Sequence, residues 1–144
     1  MDINEILKTR NLKRTAPRVA IVTILENSLM PLSESEIKGE MGHLYDRITF
    51  YRSVQTLLEV QVIHRIMIDN ATVKYAFNRN VLSQLPTHEH VHFYCKSCHT
   101  TICLEQVPIR KYKLPEGFVQ EESEVLIKGL CDKCASISDD FLSE

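Results

Sequence analysis

The sequence lacks any long apolar segment, and no run of apolar residues approaches the length that a transmembrane helix requires. Residues 1–5 do not show the basic stretch followed by an apolar stretch that is typical of a secretory signal peptide. The sequence has only four glycines, and it contains no phosphate-binding loop, dinucleotide-binding motif or nucleophile elbow. We therefore expect a cytoplasmic protein that is not an enzyme, with neither a membrane nor a small-molecule substrate as its partner.

A strong net charge is also absent. The chain carries 17 Lys and Arg against 19 Asp and Glu, so it is not a basic protein as a whole. Five basic residues nevertheless follow one another with no acidic residue between them: Lys8, Arg10, Lys13, Arg14 and Arg18. Such a stretch forms either a solvated helix face or a local contact surface for nucleic acid.

Two Cys-X-X-Cys motifs lie in the second half of the chain, at residues 95–98 and 131–134. In the cytoplasm, cysteines indicate metal binding or reactivity rather than disulfides. The 32 residues between the motifs exceed the usual spacing of a compact zinc ribbon, and a coincidental or redox-active pair is the alternative. Two such turns supply the four thiolates of a closed, tetrahedral structural zinc site. We predict that this site consists of Cys95, Cys98, Cys131 and Cys134.

A histidine-rich stretch leads into the first of these motifs. Residues 88–92 match the zinc-protease pattern HExxH, which requires a helix to bring its two histidines together. Pro86 precedes the stretch and strand-forming residues follow it. We therefore expect a β-strand on which His88, His90 and His92 point to the same side, which indicates a face of imidazoles rather than a protease.

The first 80 residues are patterned as four helices followed by a β-hairpin. Thr15 is placed to cap the second helix, residues 33–36 form a capping box for the third, and the fourth begins near Asp46. β-Branched stretches at 62–68 and 72–77 flank turn residues, which predicts two paired strands. This order of elements is typical of a winged helix-turn-helix domain, whose last helix enters the major groove of DNA.

The fourth predicted helix carries a polar stripe. Its members are Thr49, Arg52, Gln55 and Thr56, with Tyr51 at the edge. Arginine can bind guanine, glutamine can bind adenine, and tyrosine or threonine can touch a thymine methyl group. The alternative is an ordinary solvated helix face.

Residues 81–144 form the second predicted domain and are patterned mainly as strands. We expect one strand running from residue 88 into Cys95, one at residues 100–105, and short ones around 118–119 and 125–127. A short helix is expected after Pro108, and the tail from residue 136 to 144 is expected to be frayed.

Four stretches of the sequence, in order, resemble the ferric uptake regulator family of metal-responsive repressors. They are LKRTAPR at residues 12–18, ITFYRSV at 48–54, HVHFYCKSC at 90–98 and GLCDKC at 129–134. The resemblance implies an α+β fold, with a winged helix-turn-helix domain at residues 1–80 and a C-terminal α/β dimerisation domain containing the four-cysteine zinc site. It also implies a homodimer that binds inverted-repeat operators in double-stranded DNA.

The resemblance further implies roles for individual residues. Lys13 would reach the minor groove, and Tyr51 and Arg52 would work in the major groove. With the basic run and the polar stripe, the predicted DNA-binding residues are Lys13, Arg18, Thr49, Tyr51, Arg52 and Gln55.

The resemblance also places His90 and His92 in a regulatory metal site, although several usual family positions differ. The differing positions are Met30, Gln84, Cys103 and Ser123, where ligands are usual, and Gln61 and His99, where glycines are usual. We predict a second, weaker divalent site at His90, His92 and Cys103, in which the thiolate favours zinc over iron or manganese. The alternative for Cys103 is a small buried apolar residue without a role in metal binding. The alternative function for the whole protein is a zinc-stabilised protein-interaction module that no longer senses metal.

Overall fold

The computed structural model describes residues 2–69, 71–79, 91–104, 106–121 and 123–142, with the backbone alone for 138–142. Contacts divide the chain into two compact units, Met1–His88 and Glu89–Glu144. The predicted domain boundary between residues 80 and 81 lies outside the described residues. Within the described part of the chain, no helix has both the length and the apolar composition needed to cross a membrane.

In the part of the chain that the structure describes, the first unit contains four α-helices: α1 (Ile3–Thr9), α2 (Ala16–Glu26), α3 (Glu34–Met41) and α4 (Arg47–Glu59). Side chains cap the last three as the sequence predicts, because the Thr15, Ser33 and Asp46 oxygens each accept a hydrogen bond from a backbone N–H of the first turn. The Glu36 carboxylate accepts in return from the Ser33 N–H, which completes the predicted capping box. The Asp46 cap fixes where α4, the predicted DNA-reading helix, begins.

A small antiparallel sheet completes the first unit. Its strands are β1 (Leu32–Ser33), β2 (Ile63–Met67) and β3 (Val73–Phe77), in the order β1-β3-β2. The predicted hairpin is β2 and β3, paired from Ile63 with Phe77 to Met67 with Val73. β1 was not predicted, because its two residues become a strand only by pairing with β3.

The core of the first unit is formed by apolar residues of all four helices and the sheet. Its most deeply buried members include Ile6, Leu7, Ile21, Val22, Leu25, Ile37, Phe50, Leu57, Val62 and Ile63. On α4, Phe50, Val54 and Leu57 are buried at helical spacing, which leaves the opposite face of the helix in solvent. Each such side chain contributes about 1.5–3 kcal/mol by its burial, and together they fix the orientation of α4.

The second unit contains a three-stranded sheet followed by a helix. Its elements are β4 (Val91–Cys95), β5 (Thr101–Leu104), β6 (Val125–Gly129) and α5 (Asp132–Leu142). The strand order is β5-β4-β6, with β4 antiparallel to β5 and parallel to β6. Because β4 ends at Cys95 opposite Gly129, the two Cys-X-X-Cys motifs follow neighbouring strand ends.

Three expectations for the second unit are wrong. Residues 108–115 lie in neither helix nor strand, since this stretch has prolines at both ends and no apolar periodicity. Phe118 and Val119 form no strand and are 67% and 85% exposed. Residues 136–142 of the predicted frayed tail are instead part of α5, which starts within the second cysteine motif with Ala135 N–H donating to the Cys131 carbonyl over 2.8 Å, and residues 143–144 lie outside the described residues.

Candidate metal centre and nucleic-acid-binding surface

The four predicted zinc ligands lie together in the second unit. The Sγ atoms of Cys95, Cys98, Cys131 and Cys134 are all within 4.8 Å of one another. Cys98 Sγ and Cys131 Sγ are 3.8 Å apart, and Zn–S bonds of about 2.3 Å in a tetrahedron place sulfur atoms about 3.8 Å apart. A closed set of four sulfur donors at this separation fits zinc.

Backbone groups stabilise thiolate in this cluster. The N–H groups of Cys98 and Cys131 donate to Cys95 Sγ over 3.5 and 3.4 Å and lower the pKa of this thiol to about 6. The Thr100 hydroxyl, 3.1 Å from Cys98 Sγ, lowers the pKa of Cys98. Since a metal binds thiolate rather than thiol, both cysteines are prepared for ligation.

The thiol of Cys134 is harder to ionise than an ordinary cysteine. The Ser97 hydroxyl lowers the pKa of Cys134, but hydrogen bonding with the sulfurs of Cys131, Cys95 and Cys98, together with burial, outweighs it and raises the pKa to about 11. A divalent cation bound by the four sulfurs would favour the thiolate form.

The turn after the first cysteine pair has a strained backbone position. His99 has φ of 62°, in the left-handed region, while its N–H donates to the Cys95 carbonyl over 2.9 Å. The Tyr94 hydroxyl and His99 Nδ1 are 2.7 Å apart, which holds the imidazole against β4. His99 therefore occupies a backbone position that glycine would adopt at lower cost.

Two of the three predicted regulatory ligands are directly paired across strands. His92 on β4 is opposite Cys103 on β5, and their ligand atoms lie within 4.8 Å of each other. His92 is buried and Cys103 is partly buried. The third predicted ligand, His90, lies outside the described residues, as does Gln84.

The predicted base-reading residues lie on the solvent side of α4. Arg52 and Gln55 are exposed, Tyr51 is 44% exposed, and Thr49 is partly buried. Gln55 Nε2 donates to Glu59 Oε1 over 3.2 Å, one turn along the same helix. The surface of α4 thus presents a guanidinium, an amide and a phenol ring on the side away from the core.

The predicted basic contacts lie just before α2 and in its first turn. Lys13 is exposed. Arg18 is partly buried, and its Nη1 donates to the Lys13 carbonyl over 2.8 Å. Arg18 therefore holds the backbone beneath the exposed lysine in addition to contributing charge.

Two residues near the predicted DNA-reading face, Glu34 and Tyr45, were not predicted as part of the site. The carboxylate of Glu34, in the first turn of α3, accepts a hydrogen bond from the Tyr51 hydroxyl and another from the Tyr45 hydroxyl, the latter over 2.7 Å. The only signal in the sequence was the capping box at residues 33–36, which predicts that Glu34 starts a helix but does not indicate its partners.

Comparison with known proteins identifies both halves of the chain with one family. A model of the ferric uptake regulator family matches residues 9–125. No curated protein sequence matches the chain significantly.

Solved structures show the same fold at low sequence identity. A zinc uptake regulator complexed with zinc and DNA is 19% identical, with a TM-score of 0.68 over 94% of this chain and 92% of that one. The ferric uptake regulator of Francisella tularensis with iron is 21% identical, with a TM-score of 0.60 over 86% and 95% of the two chains. A zinc-bound manganese uptake regulator is 19% identical, with a TM-score of 0.58 over 89% and 97%. The predicted α+β fold class is confirmed.

Proposed function

The chain belongs to the ferric uptake regulator family, and from this premise we propose that it is a metal-responsive transcriptional repressor that binds double-stranded DNA as a homodimer in the cytoplasm. One observation carries the proposal: the same chain contains an exposed polar helix in a winged helix-turn-helix unit and a cluster of four cysteine sulfurs that can bind a metal. The structural likeness to a zinc uptake regulator complexed with zinc and DNA supports it.

The four-cysteine cluster would hold structural zinc. The sulfur separation of 3.8 Å and the lowered pKa of Cys95 support this assignment. Zinc there would join the turn after β4 to the start of α5, so that the sheet and the last helix become one body. Its role is in folding, since a closed set of four protein ligands leaves no position for a reactant.

The DNA-binding roles fall into two classes. Four residues of α4 would contact base edges in the major groove, because their functional groups match guanine, adenine and the thymine methyl group. They are Arg52, Gln55, Thr49 and Tyr51. Lys13, with Arg18 holding its backbone, would contact the phosphate backbone or minor groove and add affinity that depends little on sequence.

A second, regulatory metal would be held by His90, His92 and Cys103. The cross-strand pairing of His92 with Cys103 supports two of these three ligands. An imidazole and a thiolate are ligands that zinc accepts readily, whereas carboxylates suit manganese better, so zinc is the preferred metal.

The alternative function is a zinc-stabilised protein-interaction module. That module would keep the four-cysteine zinc but show no sequence-specific DNA binding with any metal. The exposed Arg52 and Gln55 on α4 favour the repressor, because a module without DNA has no need of these groups together.

The first test is to let zinc-loaded protein select duplexes from a random-sequence library. The affinity for the selected duplexes is then measured with and without added metal. We expect one family of inverted-repeat sequences, bound more tightly when the second metal is present. Arg52→Ala should cost about 1–3 kcal/mol and relax the sequence preference, whereas Lys13→Ala should weaken all duplexes alike and flatten the salt dependence. If Arg52→Ala binds every duplex as the wild type does, α4 is not the reading helix.

The regulatory site is tested by titrating zinc, manganese and ferrous iron into protein that already holds its structural zinc. We expect one further, weaker ion per chain with zinc preferred, lost in Cys103→Ala and in His90→Ala while the first zinc is retained. The assignment is wrong if no second ion binds, or if Cys103→Ala leaves the metal dependence of DNA binding unchanged.

A further inference from the structure

Glu34 occupies an unusual place for an acidic residue beside a DNA-reading helix. Its two carboxylate oxygens accept separately, Oε1 from the Tyr45 hydroxyl over 2.7 Å and Oε2 from the Tyr51 hydroxyl. The three side chains come from the first turn of α3, from the loop before α4 and from α4 itself. One carboxylate therefore connects three segments around the exposed face of α4.

This carboxylate is charged at neutral pH. The hydrogen bonds from Tyr51 and Tyr45 lower the pKa of Glu34, with smaller contributions from Arg47 and Lys38. The Lys38 Nζ also lies 5.1 Å from the centre of the Tyr45 ring. An anion near DNA phosphates weakens binding to every sequence, so its presence requires a compensating role.

The arrangement directs the two ends of Tyr51 differently. Its hydroxyl donates inward to Glu34, while its ring packs edge-on against buried Phe50, with centroids 5.5 Å apart. The side chain is still 44% exposed. Since the hydroxyl proton is engaged by Glu34, what Tyr51 offers to a ligand is the side of its ring.

Building on the proposed function, we propose that Glu34 is a positioning residue for sequence recognition: it holds Tyr51 so that the ring, rather than the hydroxyl, meets a thymine methyl group in the major groove. Apolar contact with this methyl group distinguishes thymine from the other bases. A fixed ring loses less conformational freedom on binding than a mobile one, so the discrimination is gained at little entropic cost.

A role limited to folding would have different consequences. A carboxylate in the first turn of a helix also stabilises the helix dipole, so replacing Glu34 could weaken α3 and lower binding to all duplexes equally. Recognition of a methyl group, in contrast, affects only duplexes that differ in that group. The test therefore compares thymine with uracil, which lacks the methyl group and keeps the same pairing edge.

The experiment uses zinc-loaded full-length protein and the duplex that the wild type selects from a random-sequence library, with each thymine of one half-site replaced in turn by uracil. For the wild type we expect a loss of about fivefold or more in affinity at one such position, as for a specific base contact. In Glu34→Gln this loss should largely disappear, while affinity for unrelated duplexes stays equal or rises because a negative charge is removed. Glu40→Gln, which removes the same charge from the exposed surface of α3, is the control and should keep the methyl effect.

A double-mutant cycle separates the two possible uses of the Tyr51 hydroxyl. If the Tyr51 hydroxyl acts only through Glu34, Tyr51→Phe and Glu34→Gln should each remove the loss of affinity that uracil causes. The double variant should then bind the duplex as tightly as either single variant. If Tyr51→Phe instead weakens all duplexes and adds to Glu34→Gln, the hydroxyl binds phosphate and the inference is overturned. It is equally overturned if no uracil affects the wild type, or if Glu34→Gln keeps the effect. A wild type that distinguishes no duplex from another overturns the proposed function as well.

Discussion

At the scale of single residues, three positions among those that the structure describes have left-handed backbone geometry and carry side chains instead of glycine. Asn11, Gln61 and His99 have φ of 57°, 61° and 62°. Asn11 and Gln61 each close a helix in the same way: for Gln61, its own N–H donates to Leu58 and the next N–H donates to the Leu57 carbonyl. Asparagine tolerates this conformation well because its short polar side chain can hydrogen-bond locally, whereas the longer glutamine bears the full steric cost of its Cβ in the left-handed region.

We expect Gln61→Gly to stabilise the first unit by about 0.5–1 kcal/mol, because it removes the steric cost of the left-handed residue and keeps the backbone bonds that end α4. The midpoint of urea unfolding measures this change. Glu59→Gly, at the last residue of α4, is the control and should destabilise the first unit, because glycine adds backbone freedom at a helical position and the hydrogen bond from Gln55 is lost. A lower midpoint for Gln61→Gly would show that the glutamine side chain stabilises the fold.

Alkaline titration provides a second prediction at this scale. The hydrogen bond to Glu34 raises the pKa of Tyr45 to about 12, from an ordinary value near 10. Because the folded value is the higher one, the contribution of this bond to stability is complete below about pH 10 and is lost as the pH rises through about 12.

Ultraviolet difference absorbance of tyrosinate should therefore show at least one late-ionising phenol in the wild type. That ionisation should move to lower pH in Glu34→Gln, and the Glu40→Gln control should titrate as the wild type does. An unchanged titration in Glu34→Gln would mean that Glu34 does not bond Tyr45 in solution.

At the scale of secondary-structure elements, the limits of sequence analysis follow from how far apart the interacting residues lie. Helix starts were predictable because a cap and its partner are three residues apart, as with Ser33 and Glu36. The two-residue strand β1 was not, since only its pairing with Tyr75 and Lys74, about forty residues later, makes it a strand.

The same reasoning applies to the candidate sites. The four cysteines were predictable because their spacing in pairs is itself the signal for zinc. The pairing of His92 with Cys103 was also predictable, because it requires only that two strands adjacent in the sequence form a hairpin. The contact between Glu34 and Tyr51 depends on how α3 and α4 pack, and no local pattern encodes that packing.

The cluster that joins β4 to α5 leads to a prediction about metal removal. Zinc binding of this type contributes on the order of 10 kcal/mol to folding at neutral pH. Cys98→Ser should therefore lose the zinc and unfold the second unit, including α5. Zinc content by atomic spectroscopy and helix content by circular dichroism measure these two losses together.

Cys103→Ser is the control for the loss of a thiol, because Cys103 lies outside the four-sulfur cluster. It should retain one zinc per chain and the helix content of the wild type. A Cys98→Ser protein with unchanged thermal stability would show that the cluster is not a structural zinc site.

At the scale of the whole molecule, charge is distributed unevenly along the chain. Residues 1–80 carry 11 basic and 9 acidic side chains, whereas residues 81–144 carry 6 and 10. A positive first half would be drawn to DNA, and a negative second half would be repelled from it. This polarity favours an orientation in which the winged helix-turn-helix unit faces the duplex.

We expect the protein to be a dimer with one inverted-repeat site per dimer, since two copies of α4 related by a two-fold axis read the same sequence on opposite strands. Inserting about five base pairs between the half-sites rotates one by half a helical turn and should abolish tight binding. Inserting about ten should restore part of it. Analytical ultracentrifugation with and without duplex gives the stoichiometry, and one monomer per site would contradict the prediction.

The parallel pairing of β4 with β6 has a kinetic consequence. Val91 pairs with Val125, 34 residues further along, so the sheet of the second unit closes only after a long loop has found its partner. Such distant pairing slows folding because the entropy of the loop is lost before the contacts form. A cation that captures two cysteines from each end of the loop would shorten that search. We therefore expect the refolding rate of the second unit to rise with free zinc concentration. Zinc supply would then control how quickly newly made chains fold as well as how stable the folded chains are.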